Sequence, residues 1–210
     1  MEKKEKKGSI FDSTIEAFQS FLRVPNTVTK SGSHVRDCND LKRVMIIVVV
    51  ALIPTLLFGI YNIGDQHSIA AGIDMGFWQK VWFGILKILP LYLVSYIVGL
   101  GIEFASAQIR GHEVNEGYLV TGMIIPLIVP ITTPLWILAL AVAFAVIIGK
   151  EVFGGTGMNI WNPALLARAF LFFAYPSSMS GDKVWVAGVD GYSGATPLAE
   201  AALGNFNNMP

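Results

Sequence analysis

The sequence predicts an all-α integral membrane protein with several transmembrane helices, some of them short half-helices broken by proline. Of its 210 residues, 53% are apolar and only 14% are charged, whereas soluble domains carry about 25% charged residues. Long apolar runs recur along the chain from residue 44 onward, and proline interrupts several of them. The bilayer is therefore the expected solvent, and this composition excludes a nucleic-acid-binding module.

The first 43 residues form a basic arm that holds nine of the fifteen lysines and arginines. Its short apolar periodicity fits either an amphipathic helix on the membrane or on a partner protein, or a loosely ordered arm. Positive residues favour the cytoplasmic side, so the arm is predicted to be cytoplasmic. Because no cleavable signal peptide is visible, we expect an uncleaved helix to insert. The single cysteine, Cys38, lies outside any metal-binding pattern, and no metal site is predicted.

Two ordinary spans come next. Residues 44–60 are almost wholly apolar and approach the ~20 residues that cross a bilayer, with Pro54 as an expected kink. Residues 81–104 form the second span. The charge bias then predicts that the segment 61–80 between them is an external loop, and that residues 105–117 return to the cytoplasm.

The following apolar stretches are shorter. Residues 118–129 and 135–148 hold twelve and fourteen residues, which is too few for an ordinary span. Such proline-flanked segments are typical of the broken helices of transporters. A third stretch, residues 163–175, begins with Asn162 as the predicted N-cap and proline at the first helical position. Arg168 inside it needs a carboxylate, a carbonyl or a ligand phosphate.

These elements divide the chain into a cytoplasmic arm (1–43), a transmembrane helical domain (44–175) and an extracytoplasmic loop (176–210). The two stretches before Lys150 cross the membrane together or not at all, so parity places Lys150 in the cytoplasm. If residues 163–175 then cross, the last loop lies outside. That loop should lead to another helix. We therefore expect the chain to be the amino-terminal part of a longer membrane protein.

Ionisable groups near membrane depth are few. Glu103 and Glu151 are interpreted either as carboxylates of an ion path or as interfacial carboxylates paired with Lys150 or Arg110. The three histidines fall in predicted loops, where solvated side chains are expected: His34, His67 and His112.

Two glycine-bearing segments are the strongest motifs. Residues 149–159 read GKEVFGGTGMN and lead to NPAL, and residues 190–198 read DGYSGATPL. Taken alone, each fits an ordinary turn as well as a ligand site, because glycine allows close backbone approach. Together with RDCNDLKRVM before the first span, they closely resemble the B-type membrane subunit of the Na+-translocating NADH:quinone reductases over nearly the whole chain. The D-type subunit of the related Rnf complex shares the flavin motif but typically lacks so long an arm.

The resemblance implies a membrane electron-transfer subunit with a covalent flavin. In this family the threonine of the Ser-Gly-Ala-Thr motif carries FMN through a phosphoester made by a dedicated flavin transferase, and that position is Thr196 here. Four further residues match the recognition motif around it: Asp190, Ser193, Gly194 and Ala195.

The resemblance also implies a bound riboflavin and access for a quinone. Gly154 and Gly155 then become a candidate floor for a planar ring, and alanine there is expected to preserve the structure but not the function. The expected setting is the bacterial inner membrane, and the expected partners are the other subunits of the complex, quinone, Na+ and lipid. This piece of chain by itself is not expected to have NADH activity.

Two other classes stay open from the residues alone. A channel or solute transporter suits the proline-broken helices equally well, and an anchor subunit without a cofactor is the third interpretation. The presence of a covalent flavin would distinguish the electron-transfer subunit from both alternatives.

Overall fold

The computed structural model describes residues 31–33, 41–110, 117–181, 184, 186–189, 192, 194, 197–202 and 204. Within these residues all regular secondary structure is helical, and there is no strand. The helices are α1 Leu41–Ala71, α2 Phe77–Arg110, α3 Tyr118–Ile128, α4 Leu135–Gly149, α5 Pro163–Ala174, α6 Pro176–Met179 and α7 Pro197–Ala202, with a 3-10 turn Glu151–Phe153 after α4. Most of the basic arm, including Cys38, lies outside the described residues.

Among the described residues, three helical segments are long and apolar enough to cross a membrane: Arg43–Ala71, Phe77–Arg110 and Leu135–Phe153. The prediction of an all-α, multi-pass membrane protein is therefore confirmed. The prediction that residues 135–148 are too short for a span is wrong, because α4 continues into the 3-10 turn and reaches 19 residues. Helices α3 and α5 are shorter apolar helices, as expected for half-helices.

The segment 61–80 is mostly helical, so its prediction as a loop is wrong. Only five residues, 72–76, connect α1 to α2. The extra turns are stable because their polar groups have partners. Lys80 Nζ donates to Asp65 Oδ1 at 2.6 Å, and Ser68 Oγ donates to the carbonyl of Ile73 at 2.5 Å.

Glycines allow α1 and α2 to pack closely as an antiparallel hairpin. A Cβ atom at Gly64 would meet the backbone of Lys80, and one at Gly84 would meet the backbone of Ile60. Small residues at such crossings let membrane helices approach each other at backbone distance. Pro54 lies inside α1 without ending the helix.

Helix α4 is the centre of the core and packs between α2 and α5. Five of its side chains have no exposed surface: Leu138, Ala141, Val142, Ala145 and Val146. Helix α3 packs on α1, α2 and α5. Its first residue, Tyr118, is fully buried and donates its hydroxyl to the carbonyl of Ser95 at 2.8 Å. Packing of the core therefore holds α4 in place, and polar side chains lie near both of its ends.

Candidate functional site

Charged side chains meet where α2 and α4 end. Lys150 Nζ pairs with Glu103 Oε1, and each side chain is only 4% exposed. Ser106 Oγ donates to Glu151 Oε2 at 2.5 Å, and Arg110 Nη1 lies 3.7 Å from the same oxygen. We call these five residues the charged cluster. Both predicted carboxylates lie in it, and each has the cationic partner that the interfacial interpretation named.

The local sequence explains the charged cluster. Glu103, Ser106 and Arg110 are spaced by three and four residues, so they share one face of α2. Lys150 follows the last turn of α4, where a cation is favoured by the negative end of the helix dipole. Glu103 Oε2 is buried and has no hydrogen-bond partner among the described residues. This oxygen is therefore available to accept a bond from water, a proton or a cation.

The glycine turn lies next to the charged cluster. Gly154 and Gly155 have φ of 116° and 95°, and their amides donate to the carbonyls of Glu151 and Lys150, each at 3.1 Å. A residue with a Cβ is disfavoured by roughly 1–2 kcal/mol in the left-handed region, so alanine would strain this turn. The expectation that alanine preserves the structure but not the function stays a prediction. Beyond the turn, Thr156 Oγ1 is buried without a partner in the described part of the chain. A quinone or riboflavin at this turn stays a prediction.

A pocket of about 390 Å³ lies at the opposite end of α4. Its walls come from the turn between α3 and α4, from α6 and Ser180 after it, and from residues 184, 186, 188, 189 and 192. The lining combines hydroxyl-bearing residues, such as Thr132, Ser177 and Tyr192, with apolar residues such as Pro134 and Val186. Small-molecule sites have volumes of roughly 300–1,000 Å³ and this kind of mixed lining. The pocket is therefore large enough for a small molecule.

The described part of the DGYSGAT motif lies at this pocket. Tyr192 lines it, and Gly194 is exposed beside the Tyr192 ring, whose Oη would lie 2.7 Å from a Cβ at Gly194. The remaining predicted motif residues lie outside the described residues: Asp190, Ser193, Ala195 and Thr196. Sequence reasoning missed Tyr192 as a lining residue, although its place inside the motif was the signal.

The segment before the motif is attached to the α1–α2 hairpin. His67 Nδ1 lies 2.9 Å from the carbonyl oxygen of Ala187, and the His67 ring stacks on Phe83 with centroids 4.0 Å apart and planes 12° apart. The prediction of a solvated loop histidine is therefore wrong for His67. The other two histidines, His34 and His112, lie outside the described residues.

Hydrogen bonds test two predictions about α5, the N-cap at Asn162 and the partner of Arg168. Asn162 caps the helix, because its Oδ1 accepts from the amides of Ala164 at 2.9 Å and Leu165 at 3.4 Å. Arg168 Nη1 donates to the carbonyl of Ile128, the last residue of α3. A backbone carbonyl is thus the partner that this arginine needs. In the described ranges, no group of three or more His, Cys, Asp or Glu side chains is arranged to hold a metal ion.

Comparison with known proteins places this geometry in a family context. The family model described as NQR2, RnfD, RnfE family matches residues 28–209. The chain is 46% identical over 217 residues to the B-type subunit of the Na(+)-translocating NADH-quinone reductase of Pseudomonas aeruginosa, covering 92% of this chain and 54% of that protein.

The subunit of the same name from Chromohalobacter salexigens is 46% identical over 213 residues, covering 91% of this chain and 52% of that protein. For Pseudoalteromonas atlantica the identity is 46% over 219 residues, with 92% and 54% covered. The chain therefore spans about half the length of the curated relatives it matches.

Proposed function

Because the chain belongs to the NQR2, RnfD, RnfE family, we propose that it is the flavin-bearing, amino-terminal part of the B-type subunit of a Na+-translocating NADH:quinone reductase. In this proposal Thr196 carries FMN through a phosphoester formed by a flavin transferase. The subunit passes electrons toward riboflavin and quinone while the assembled complex transports Na+. The observation that supports this most is the DGYSGATPL sequence at residues 190–198, whose Tyr192 lines the pocket.

The residues that line the pocket and those of the motif beside it each have a role in the proposal. The covalent flavin supplies one-electron redox chemistry, which amino-acid side chains do not provide. Gly194 and Ala195 leave the Thr196 hydroxyl accessible to a transferase, since neither has a bulky side chain. Hydroxyls such as those of Thr132 and Tyr192 would hold the polar edge of the ring. The apolar wall, with Pro134 and Val186, would exclude water from it.

The orientation in the bacterial inner membrane is part of the same proposal. The ends of α2 and α4 share the charged cluster, so they lie at one end of the bundle. Ala187 contacts His67 near the end of α1, so the pocket lies at the other end. If the basic arm before α1 is cytoplasmic, the charged cluster faces the cytoplasm and the flavin loop faces outside. A transferase acting on the outer side could then reach Thr196.

The end of the bundle that holds the charged cluster also has a proposed role in the same complex. Glu103 Oε2 and Thr156 Oγ1 are buried polar atoms without partners among the described residues, and buried polar groups normally have one. We propose that a ligand of the intact complex reaches this end, either the quinone or riboflavin at the Gly154–Gly155 turn or an ion at the carboxylates. The family also includes the Rnf subunits, so an Rnf-type flavin subunit is the alternative assignment.

The test is the covalent flavin itself. The full-length protein, made with its transferase, should show a fluorescent band on a denaturing gel. Thr196→Val keeps the side-chain shape but removes the nucleophilic oxygen, so the band should disappear while the protein still inserts. Thr196→Ser is expected to restore part of it.

Ser193→Ala is the matched control, because Ser193 offers a second hydroxyl three residues earlier, and it should retain the band. Loss of fluorescence in Ser193→Ala and not in Thr196→Val would show that the attachment is assigned to the wrong hydroxyl. A colourless wild-type protein would favour a transporter or an anchor subunit instead.

A further inference from the structure

We infer that His67 is a positioning residue that holds residues 186–189, which precede the proposed flavin-attachment motif, against the α1–α2 hairpin, an inference that rests on the proposed function. His67 lies 120 positions before Ala187, yet its Nδ1 is 2.9 Å from the Ala187 carbonyl oxygen. The described residues on either side of Ala187, namely Val186 and Gly188, line the pocket. One side chain of α1 therefore fixes a wall of the pocket.

The chemistry of this contact is defined. A carbonyl oxygen only accepts hydrogen bonds, so His67 Nδ1 must carry the proton and donate it. The imidazole is held in place from its other side by Phe83 of α2, with the two rings nearly parallel at 12°. The imidazole cannot turn without losing either the stacking on Phe83 or the hydrogen bond to Ala187. The two contacts therefore stabilise the same orientation of the ring.

Gly188 completes the contact. Its φ is 82°, and a Cβ there would lie 3.0 Å from Phe83 Cζ and 3.3 Å from two atoms of the His67 ring. Only glycine combines that backbone conformation with such close approach. The three residues His67, Phe83 and Gly188, which we call the loop clamp, therefore press the segment against the hairpin.

The loop clamp acts on the docking of the flavin and not on its attachment. Attachment needs an accessible Thr196 hydroxyl, and Thr196 lies nine positions beyond Ala187. Docking needs a formed pocket wall. Weakening the loop clamp should therefore leave the fluorescent band intact while the bound ring becomes more accessible to solvent and its midpoint potential changes.

Two variants separate the parts of the loop clamp. His67→Phe keeps an aromatic ring to stack on Phe83 but has no donor, whereas His67→Asn keeps an N–H donor near the position of Nδ1 but has no ring. In the full-length protein, loss of this hydrogen bond should make detachment of the segment about two- to tenfold more frequent. Because Val186 and Ala187 are buried, hydrogen exchange of the amides at 186–189 should be faster in His67→Phe by the same factor. His67→Asn should recover most of the protection.

The flavin readouts complete the experiment. Iodide quenching of flavin fluorescence should increase in His67→Phe and return toward wild type in His67→Asn, with the midpoint potential following the same order. Gly188→Ala should behave like His67→Phe. Its control is Gly181→Ala, because Gly181 has a φ of 100° but no atom within 4 Å of a Cβ.

The outcomes distinguish the inference from the proposed function. Unchanged exchange in His67→Phe, or equal effects of the two His67 variants, would overturn the hydrogen-bonded loop clamp even if the covalent flavin is present. Faster exchange with unchanged quenching and potential would overturn the positioning role. A wild-type protein without covalent flavin would overturn the proposed function and the positioning role together, while the exchange data would still report on the contact.

Discussion

Breaking the ion pair between Glu103 and Lys150 should destabilise the protein strongly. Both side chains are only 4% exposed, so bulk water screens the pair poorly and does not fully compensate a lost partner. Removing one member of a buried pair costs roughly 3–5 kcal/mol, because the other charge stays buried and uncompensated. We therefore expect Glu103→Leu and Lys150→Met each to lower the free energy of unfolding by about that amount.

The double variant provides the sharper measurement. Replacing both members of a buried pair by apolar residues of similar volume is often neutral or stabilising by about 1–4 kcal/mol. Glu103→Leu combined with Lys150→Met should therefore be close to wild type, far from the sum of the single effects. Reversible unfolding of the full-length protein in mixed micelles titrated with SDS measures all four free energies, and their double-mutant cycle isolates the coupling.

A matched control comes from the other end of the bundle. Asp65 and Lys80 also form a pair, but their side chains are 28% and 17% exposed, so solvent screens it. Asp65→Asn should have a much smaller effect than either single variant of the buried pair. If both single variants at Glu103 and Lys150 stay within about 1 kcal/mol of wild type, water reaches the charged cluster and the reasoning is refuted.

Two further predictions concern orientation and helix packing. A cysteine placed at Asp74, which is exposed in the connection between α1 and α2, should react with an impermeant maleimide from outside intact cells while native Cys38 does not; the reverse pattern would invert the topology. Gly84→Ala should destabilise the α1–α2 hairpin by about 1–3 kcal/mol through overpacking, whereas Gly101→Ala, with no atom within 4 Å of its Cβ, should not. Equal unfolding free energies for the two glycine variants would contradict the close helix contact.

The sequence predicted the features that depend on neighbouring residues. The apolar runs identified the membrane helices, and the N-cap at Asn162 followed from its position before proline. What could not be predicted depends on contacts between distant positions. The final turns of α1 persist because Asp65 meets Lys80 fifteen positions away, and composition alone made that segment look like a loop. The contact between His67 and Ala187, 120 positions apart, has no local signal at all.

The charged cluster and the pocket are separate sites, because α4 lies between them. Lys150 follows one end of this helix and Pro134 precedes the other. Fifteen residues of helix correspond to about 22 Å at 1.5 Å per residue. A flavin ring in the pocket therefore cannot also contact the glycine turn. Because sites more than about 7–10 Å apart usually contribute additively, the stability effects of substitutions at Thr132, which lines the pocket, and at Lys150 should add.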